Sequence, residues 1–134
     1  MRRLFAFGLL LALLCPAAGG TQLTVTRGEF VCWLWESCGS VPYDSSHGFS
    51  DVDKDDPWAE AICWAQGEAL VLGDGTGRFL PKELLTHAQL ELILSRADVM
   101  LGRQETRQYL PGAWPEDPVC RTDAQRALEQ WRGW

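Results

Sequence analysis

The sequence predicts a mainly α-helical domain built from helix–turn–helix repeats, and three features of the 134-residue chain support that prediction. Two segments, Thr26–Glu29 and Thr86–Gln89, have the Thr-x-x-Glu/Gln form of the capping box that starts a helix. After the second box, apolar residues recur at i, i+3, i+4 and i+7, namely Leu90, Ile93, Leu94 and Ala97. A glycine-rich turn, Gly73–Gly77, precedes it, as expected where the backbone needs positive φ.

The first 20 residues are typical of a secretory signal peptide. Arg2 and Arg3 precede an apolar run, Leu4–Leu14, and small residues follow at Ala17–Gly20. The run is shorter than a membrane-spanning helix requires. We therefore expect an exported chain, cleaved near Gly20, that has no membrane contact after cleavage.

The charge of the chain excludes some classes of partner. Removal of the leader deletes two arginines and no acid, which leaves ten basic and eighteen acidic residues and a formal charge of about −8. Nucleic-acid binders present basic surfaces, so we expect no nucleic-acid partner. If the ligand is an anion, a few local arginines must attract it, because the overall field is negative.

The cysteine and histidine patterns indicate neither a metal site nor a catalytic site. The exported chain keeps Cys32, Cys38, Cys63 and Cys120, an even number that permits two disulfides in any of three pairings. The alternative is that they are small buried residues with free thiols. Their spacing matches no zinc pattern, and neither histidine has a serine or cysteine partner by motif. We expect no enzyme activity, metal or cofactor.

The first two helices have recognisable starts and ends. The helix that begins at Thr26 is expected to end near Gly39. The acidic segment 51–56 lacks the glycine and the final glutamate of an EF-hand loop, so we interpret it as a solvated loop. Its last residue, Asp56, is expected to be the N-cap of a helix that has Pro57 in its first turn and apolar residues at helical spacing over Ala59–Gln66.

The rest of the chain is less regular. Gly102–Cys120 contains three prolines and is expected to lie irregularly on the domain. Thr122–Gln125 is then expected to open a last helix that runs toward Trp131. It is either a fainter third copy of the capping box or an ordinary helix start, since its spacing does not fit the 60-residue period of the first two boxes.

Four submotifs, in order across about fifty residues, resemble the S-layer homology module of bacterial surface proteins. They are Phe49–Val52, Trp58–Ala65, Gly73–Pro81 and Thr86–Gln89, which match the F-x-D-V, W-x-x-x-A-I-x-W-A, G-x-G-x-G-x-F-x-P and T-R-A-E/Q elements of the family. The resemblance divides the chain into a signal peptide (1–20), the closing half of one module (21–47), a full module (48–101) and a Pro-rich segment with a short helix (102–134). About one and a half modules imply an incomplete pseudo-trimer.

The resemblance also implies a function. Such modules anchor exported proteins to the bacterial cell wall without covalent bonds and bind secondary wall polymers, often ones that bear anionic pyruvylated sugars. Arg27 occupies the position of the family's ligand-binding arginine, and a guanidinium in the first turn of a helix suits a carboxylate. The ligand-binding set implied by the two helix starts and the groove wall is Arg27, Thr26, Glu29, His87, Thr86, Gln89 and Trp58.

Two departures from the family pattern leave alternatives open. His87 stands where a second arginine is expected, and a histidine is only partly charged near neutrality. The chain also has fewer than three modules. Self-association completes the trimer, or the C-terminal segment replaces a module, or polymer binding has been lost. The alternative function is a protein-interaction module that pairs with other chains carrying such modules.

Overall fold

The computed structural model describes residues 23–43, 48–104 and 107–133, and this part of the chain forms four helices connected by turns. They are α1 (Arg27–Ser37), α2 (Ala59–Gly67), α3 (His87–Met100) and α4 (Arg121–Arg132). The mainly α-helical prediction is confirmed. The predicted signal peptide lies outside the described residues, and among those residues no helix is long and apolar enough to cross a membrane.

Three backbone hydrogen bonds join the starts of α1, α3 and α4 in a closed ring. The N–H of Val25 donates to the carbonyl of Val119 (3.2 Å), that of Val119 to Leu85 (2.8 Å), and that of Leu85 to Val25 (2.9 Å). All three side chains are fully buried, and each residue stands two positions before the first residue of its helix. The three helices therefore leave a common centre with pseudo-threefold symmetry.

The same cyclic relationship extends to the first residue of each helix. The N–H of Arg27 donates to Glu83 (2.9 Å), that of His87 to Asp117 (3.0 Å), and that of Arg121 to Leu23 (2.8 Å). Each helix start is thus held by the segment that precedes another helix start. Of the three alternatives for the missing modules, this arrangement favours the one in which the C-terminal segment takes the third position.

The start of α4 corrects the sequence prediction. The helix begins at Arg121 with Cys120 as its N-cap and no side-chain capping bond, so the alternative of a third capping box at Thr122–Gln125 is wrong, and the helix starts two residues earlier than that box would require. The ring determines the register, because Val119 must bond Leu85 just before the helix begins. The hydroxyl of Thr122 lies inside the first turn, 3.2 Å from the sulfur of Cys120.

The start of α2 also differs from the prediction. Its N-cap is Trp58, which makes no side-chain capping bond, and the expectation that Asp56 is the cap is wrong. The carboxylate of Asp56 instead accepts from the N–H of Asp53 (2.9 Å), and its carbonyl accepts from Ala59. A short acidic turn uses this carboxylate before the helix begins. The end of α1 is as predicted, since Gly39 follows it with φ of +90°.

An irregular segment, held by a carboxylate, connects α3 to α4. The N–H groups of Tyr109 and Leu110 donate to the carboxylate of Glu91 on α3, at 2.9 and 2.6 Å. The ring of Tyr109 is 2 % exposed. Its hydroxyl donates to the buried carboxylate of Asp98 (2.8 Å), which also pairs with Arg103 (2.8 Å). This polar cluster fixes the segment to α3, because a buried carboxylate needs such partners.

Candidate functional site

The guanidinium of Arg27 is held at the first position of α1 by the glycine-rich turn of the next unit. Its Nε donates to the carbonyl of Phe79 (2.9 Å), and its central carbon lies 4.9 Å from the centroid of the Phe79 ring. The ring itself is fully buried. Among the described residues no hydrogen-bond acceptor is found for the two terminal nitrogens of Arg27, so the fork of the guanidinium remains available to a ligand.

Asp51 fixes the turn that carries Phe79. Its two carboxylate oxygens accept from the N–H groups of Phe79 and Leu80, each at 2.8 Å. Leu80 has φ of +63°, a left-handed conformation that costs free energy for a residue with a Cβ. The aspartate of the F-x-D-V submotif therefore holds a strained loop in place beneath Arg27.

A close contact between α1 and the neighbouring loop forms one wall of the site. The N–H of Gly28 donates to the carbonyl of Pro81 (2.9 Å). A Cβ at Gly28 would lie 3.0 Å from that oxygen and 3.1 Å from Cδ2 of Trp58. Trp58 is half-buried beside this contact, and its indole N–H has no acceptor among the described residues. We use the name Arg27 groove for the region around Arg27 that contains the half-buried Trp58 and the buried residues Phe79 and Pro81.

The electrostatic surroundings of Arg27 are acidic. Burial lowers the pKa of the guanidinium, and the nearby carboxylates of Asp74, Asp51 and Glu83 oppose that shift. Asp74 accepts from the hydroxyl and the N–H of Thr76, and these bonds lower its pKa to about 2. The carboxylate therefore stays ionised at neutral pH. An anionic ligand is attracted by Arg27 only at short range, since the surrounding field repels it.

Four of the predicted ligand residues form the capping boxes themselves. The hydroxyls of Thr26 and Thr86 accept from the N–H groups of Glu29 and Gln89 at 3.2 and 3.3 Å. The two longer side chains bond back to the threonine N–H groups, each at 3.1 Å. The capping boxes predicted from the sequence are confirmed, and these contacts are internal to each helix start.

His87 lies at the equivalent position on α3 but has different neighbours. Its Nδ1 is 2.9 Å from the carbonyl oxygen of Asp117. Because a carbonyl can only accept, Nδ1 must donate, and the neutral ring presents Nε2 as an acceptor. The residue that corresponds to Phe79, 34 positions later, is Ala113. The segment that holds His87 therefore has no aromatic residue at the position that Phe79 occupies beside Arg27.

Arg121 is the third residue of this set, and the sequence prediction missed it. It is the first residue of α4, its guanidinium pairs with the carboxylate of Glu29 (2.9 Å), and it lies 4.9 Å from the ring centroid of Trp33. Its charge is thus neutralised within the protein. The signal that locates it is the match of Pro81-Lys-Glu-Leu-Leu with Pro115-Glu-Asp-Pro-Val, which sets a 34-residue offset.

Cys32, Cys38, Cys63 and Cys120 are free thiols in this structure, so none of the three possible pairings is formed and the alternative of free thiols is the one observed. Burial raises the pKa of Cys32 to about 11, and the carboxylates of Glu36 and Glu29 add to the shift. A thiol with so high a pKa is a poor nucleophile at neutral pH. Within the described ranges no group of three or more His, Cys, Asp or Glu side chains is placed to hold a metal ion.

Comparison with known proteins supports the resemblance seen in the submotifs. A search of curated proteins finds no match to the chain. The model of the S-layer homology domain family matches residues 48–91, a range that includes Asp51, Trp58 and Phe79 as well as the start of α3. Residues 48–91 therefore form an S-layer homology domain, the type of domain that generally anchors proteins to bacterial cell walls.

Proposed function

We propose that the Arg27 groove binds an acidic group of a wall glycan and so retains the chain at the bacterial cell surface. S-layer homology domains are generally non-catalytic binding modules of the cell wall. The observation that supports the proposal is the fixed guanidinium of Arg27. Its Nε and its ring contact position the side chain, and its terminal nitrogens have no acceptor among the described residues.

A carboxylate-bearing sugar suits this groove. The planar fork of an arginine matches a carboxylate with two parallel hydrogen bonds. The N–H groups of the first turn of α1 favour negative charge, although those of Arg27 and Gly28 already bond Glu83 and Pro81. The aromatic face of Trp58 gives the body of a sugar an apolar wall. We propose Arg27 as the residue that grips the acid and Trp58 as the residue that supports the ring.

The other predicted ligand residues have secondary parts in this proposal. The capping boxes at the starts of α1 and α3 are formed by four of them, Thr26, Glu29, Thr86 and Gln89. His87 binds an anion only when it is protonated. Arg121 is paired with Glu29 and contributes little. Of the three helix starts, at Arg27, His87 and Arg121, the proposal therefore assigns strong anion binding only to the one at Arg27.

Co-sedimentation with purified wall sacculi tests the proposal. The Arg27→Ala variant loses charge-assisted hydrogen bonds worth about 1.5–3 kcal/mol, so its affinity should fall roughly 10- to 100-fold. Arg121→Ala is the matched control, because it removes the same side chain from the same helix position and should leave retention unchanged. Chemical removal of the wall polymer should abolish retention of the parent chain.

Two results would contradict the proposal. One is a parent chain that stays in the supernatant with polymer-bearing walls, which would end the anchoring function. The other is an Arg27→Ala variant that sediments as well as the parent, which would show that Arg27 does not bind the polymer.

Raising the salt concentration to 0.15 M should not weaken retention, because screening also reduces the repulsion between the acidic chain and an acidic polymer.

The alternative function, pairing with other module-bearing chains or self-association, has less support. The ring of Val25, Leu85 and Val119 is closed by residues of one chain, so no second copy is needed to complete it. We expect the mature chain to elute as a monomer in size-exclusion chromatography. A stable trimer would favour the alternative.

A further inference from the structure

The outward face of α3 carries an apolar stripe that is open to solvent. Ala88 is exposed, Leu92 is 49 % exposed and Val99 is 74 % exposed. Ser95 is half-buried between the last two. The four positions are separated by four, three and four residues, which is the spacing of the a and d positions of a coiled coil. Leu92 and Val99 are then a positions, and Ala88 and Ser95 are d positions.

The fold of the chain does not require this stripe. The core face of α3 is a different one, formed by residues that are at most 5 % exposed, namely Leu90, Ile93, Leu94 and Ala97. A surface helix needs only one such face to fold against a core. On α4 the positions that correspond to the stripe, 34 residues later, are exposed and carry no large apolar side chain; they are Thr122, Arg126, Glu129 and Gly133. The stripe is therefore a feature of α3 that indicates a contact outside the chain.

Two charged residues flank the stripe on opposite sides, Glu91 at the g position and Arg96 at the e position of the same assignment. Both are half-buried, and among the described residues no ion pair is found for either. The carboxylate of Glu91 accepts from the N–H groups of Tyr109 and Leu110, and Arg96 donates to the carbonyl of Leu70 (3.2 Å). Uncharged groups thus hold the two side chains while their charges stay uncompensated.

These charges decide the direction in which two copies of α3 are complementary. In a parallel pair the g position of one helix lies beside the e position five residues later on the other, so each Glu91 meets the partner's Arg96. In an antiparallel pair g lies beside g and e beside e. Glu91 would then meet the partner's Glu91, and such like-charge contacts at an interface are unfavourable. The face therefore fits a second copy of itself in the parallel direction only.

We propose that the mature chain forms a weak parallel homodimer through the stripe of α3. Leu92 and Val99 each pack against the same residue of the second copy, and a β-branched residue at an a position favours two strands. α3 has 14 residues, so the contact spans two heptads. An interface of this size buries less than about 1,200 Å² and is typical of weak complexes, so we expect a Kd of about 1 mM. At micromolar concentrations the chain remains a monomer.

A parallel pair has a consequence for wall binding. Its twofold axis runs along α3, so the helix starts of both copies lie at the same end of the dimer. Arg27 is the first residue of α1, and its groove is at that end. Two Arg27 grooves that face one wall would raise retention through effective concentration, without a new contact to the polymer. This consequence rests on the proposed function of the Arg27 groove, whereas the dimer itself does not.

Sedimentation equilibrium of the intact mature chain, from about 10 μM to about 1 mM in about 0.15 M salt, tests the dimer. The mean mass should rise toward that of two chains as the concentration increases. Val99→Lys puts a charge into the stripe at an exposed position and should abolish the rise. Gln125→Lys, at an exposed position of α4, is the control and should leave the rise unchanged. Ala88→Leu adds a leucine at a d position and should tighten pairing at least about tenfold.

Cross-linking tests the direction of the pair. In a parallel dimer the two copies of position 99 adjoin, so Val99→Cys should form a disulfide-linked dimer with glutathione disulfide several-fold faster than Gln125→Cys does. A mean mass that stays at one chain up to about 1 mM would overturn the proposal. An undiminished rise in Val99→Lys, or equal cross-linking of the two cysteine variants, would overturn it as well.

Retention on sacculi separates the dimer from the proposed function. The cross-linked Val99→Cys dimer should be retained at least about tenfold more tightly than the same variant kept reduced. The gain should vanish when Arg27→Ala is added, while cross-linking should continue at the same rate. A cross-linked dimer that is retained no better than the monomer would contradict the function proposed for the Arg27 groove and not the dimer.

Discussion

The guanidinium of Arg27 lies 4.9 Å from the ring centroid of Phe79 and donates to the carbonyl of that same residue at 2.9 Å. The two residues are 52 positions apart in sequence. A single buried residue thus fixes both the position and the orientation of the proposed ligand-binding arginine. A change that destabilises the turn at Phe79 should therefore also displace the guanidinium of Arg27.

Phe79→Leu should lower both stability and wall retention. Loss of the fully buried ring should cost about 1–2 kcal/mol of unfolding free energy, measured by urea unfolding. Arg27 also loses its aromatic support, so retention should fall by more than the stability loss explains. Phe49→Leu is the control, because its ring packs on Phe79 (5.4 Å between centroids) and has no such contact with Arg27. Equal retention in the two variants would contradict the coupling.

Gly28→Ala should destabilise the chain by about 1 kcal/mol, although alanine is the better helix former. The added Cβ would lie 3.0 Å from the carbonyl oxygen of Pro81 and 3.1 Å from Trp58, and the backbone oxygen cannot move without loss of its bond to the Gly28 N–H. The equivalent residue on α3 is Ala88, so Ala88→Gly should cost only the usual helix propensity. A Gly28→Ala variant that is more stable than the parent would show that Pro81 and Trp58 move aside for the added Cβ at little cost in free energy.

Asp98→Ala should lower the unfolding free energy by about 3 kcal/mol or more, because it removes a buried carboxylate that pairs with Arg103 and accepts from Tyr109. Tyr109→Phe removes one hydrogen bond to the same carboxylate and should cost about 1 kcal/mol. Tryptophan fluorescence during urea unfolding measures both changes. We expect a single transition, since the C-terminal segment closes the ring. A separate early transition would mean that the segment is an appendage.

The stability of the chain should fall between about pH 9 and pH 11 through Cys32. The pKa of this thiol rises from 9.0 to about 11 on folding, so the folded state holds the proton more tightly than the unfolded state. Below pH 9 both states are protonated and the stability is constant. Between the two values only the unfolded state releases the proton, so unfolding becomes more favourable. Urea midpoints of Cys32→Ser should decline less over this window; an identical decline would show that other groups cause it.

Much of the fold could be predicted from local signals. Capping boxes, helical apolar spacing and the glycine-rich turn each depend on only a few neighbouring residues. The structure confirms the capping boxes of α1 and α3, and the glycines of the turn have positive φ. Errors arose where a side chain had two possible partners. Asp56 closes a turn with Asp53 and does not cap α2, and a local pattern does not distinguish between these uses.

The candidate site was predicted only in part for a related reason. The sequence identified Arg27 through its motif, but Arg121 went unnoticed because its helix start lacks a capping box. Conversely, Glu29 was expected at a ligand, and the structure pairs it with Arg121, 92 residues away. Long-range pairs of this kind leave no periodic trace in the sequence.

By itself the sequence determined the helices, their starts and the family of the central unit, since these depend on backbone preferences and short-range hydrogen bonds. Only the tertiary structure decided that the C-terminal segment closes the ring with Val25 and Leu85, and that the guanidinium of Arg121 pairs with Glu29 whereas that of Arg27 does not. Both depend on contacts between residues far apart in the chain, whose free energy is gained only when the whole fold assembles.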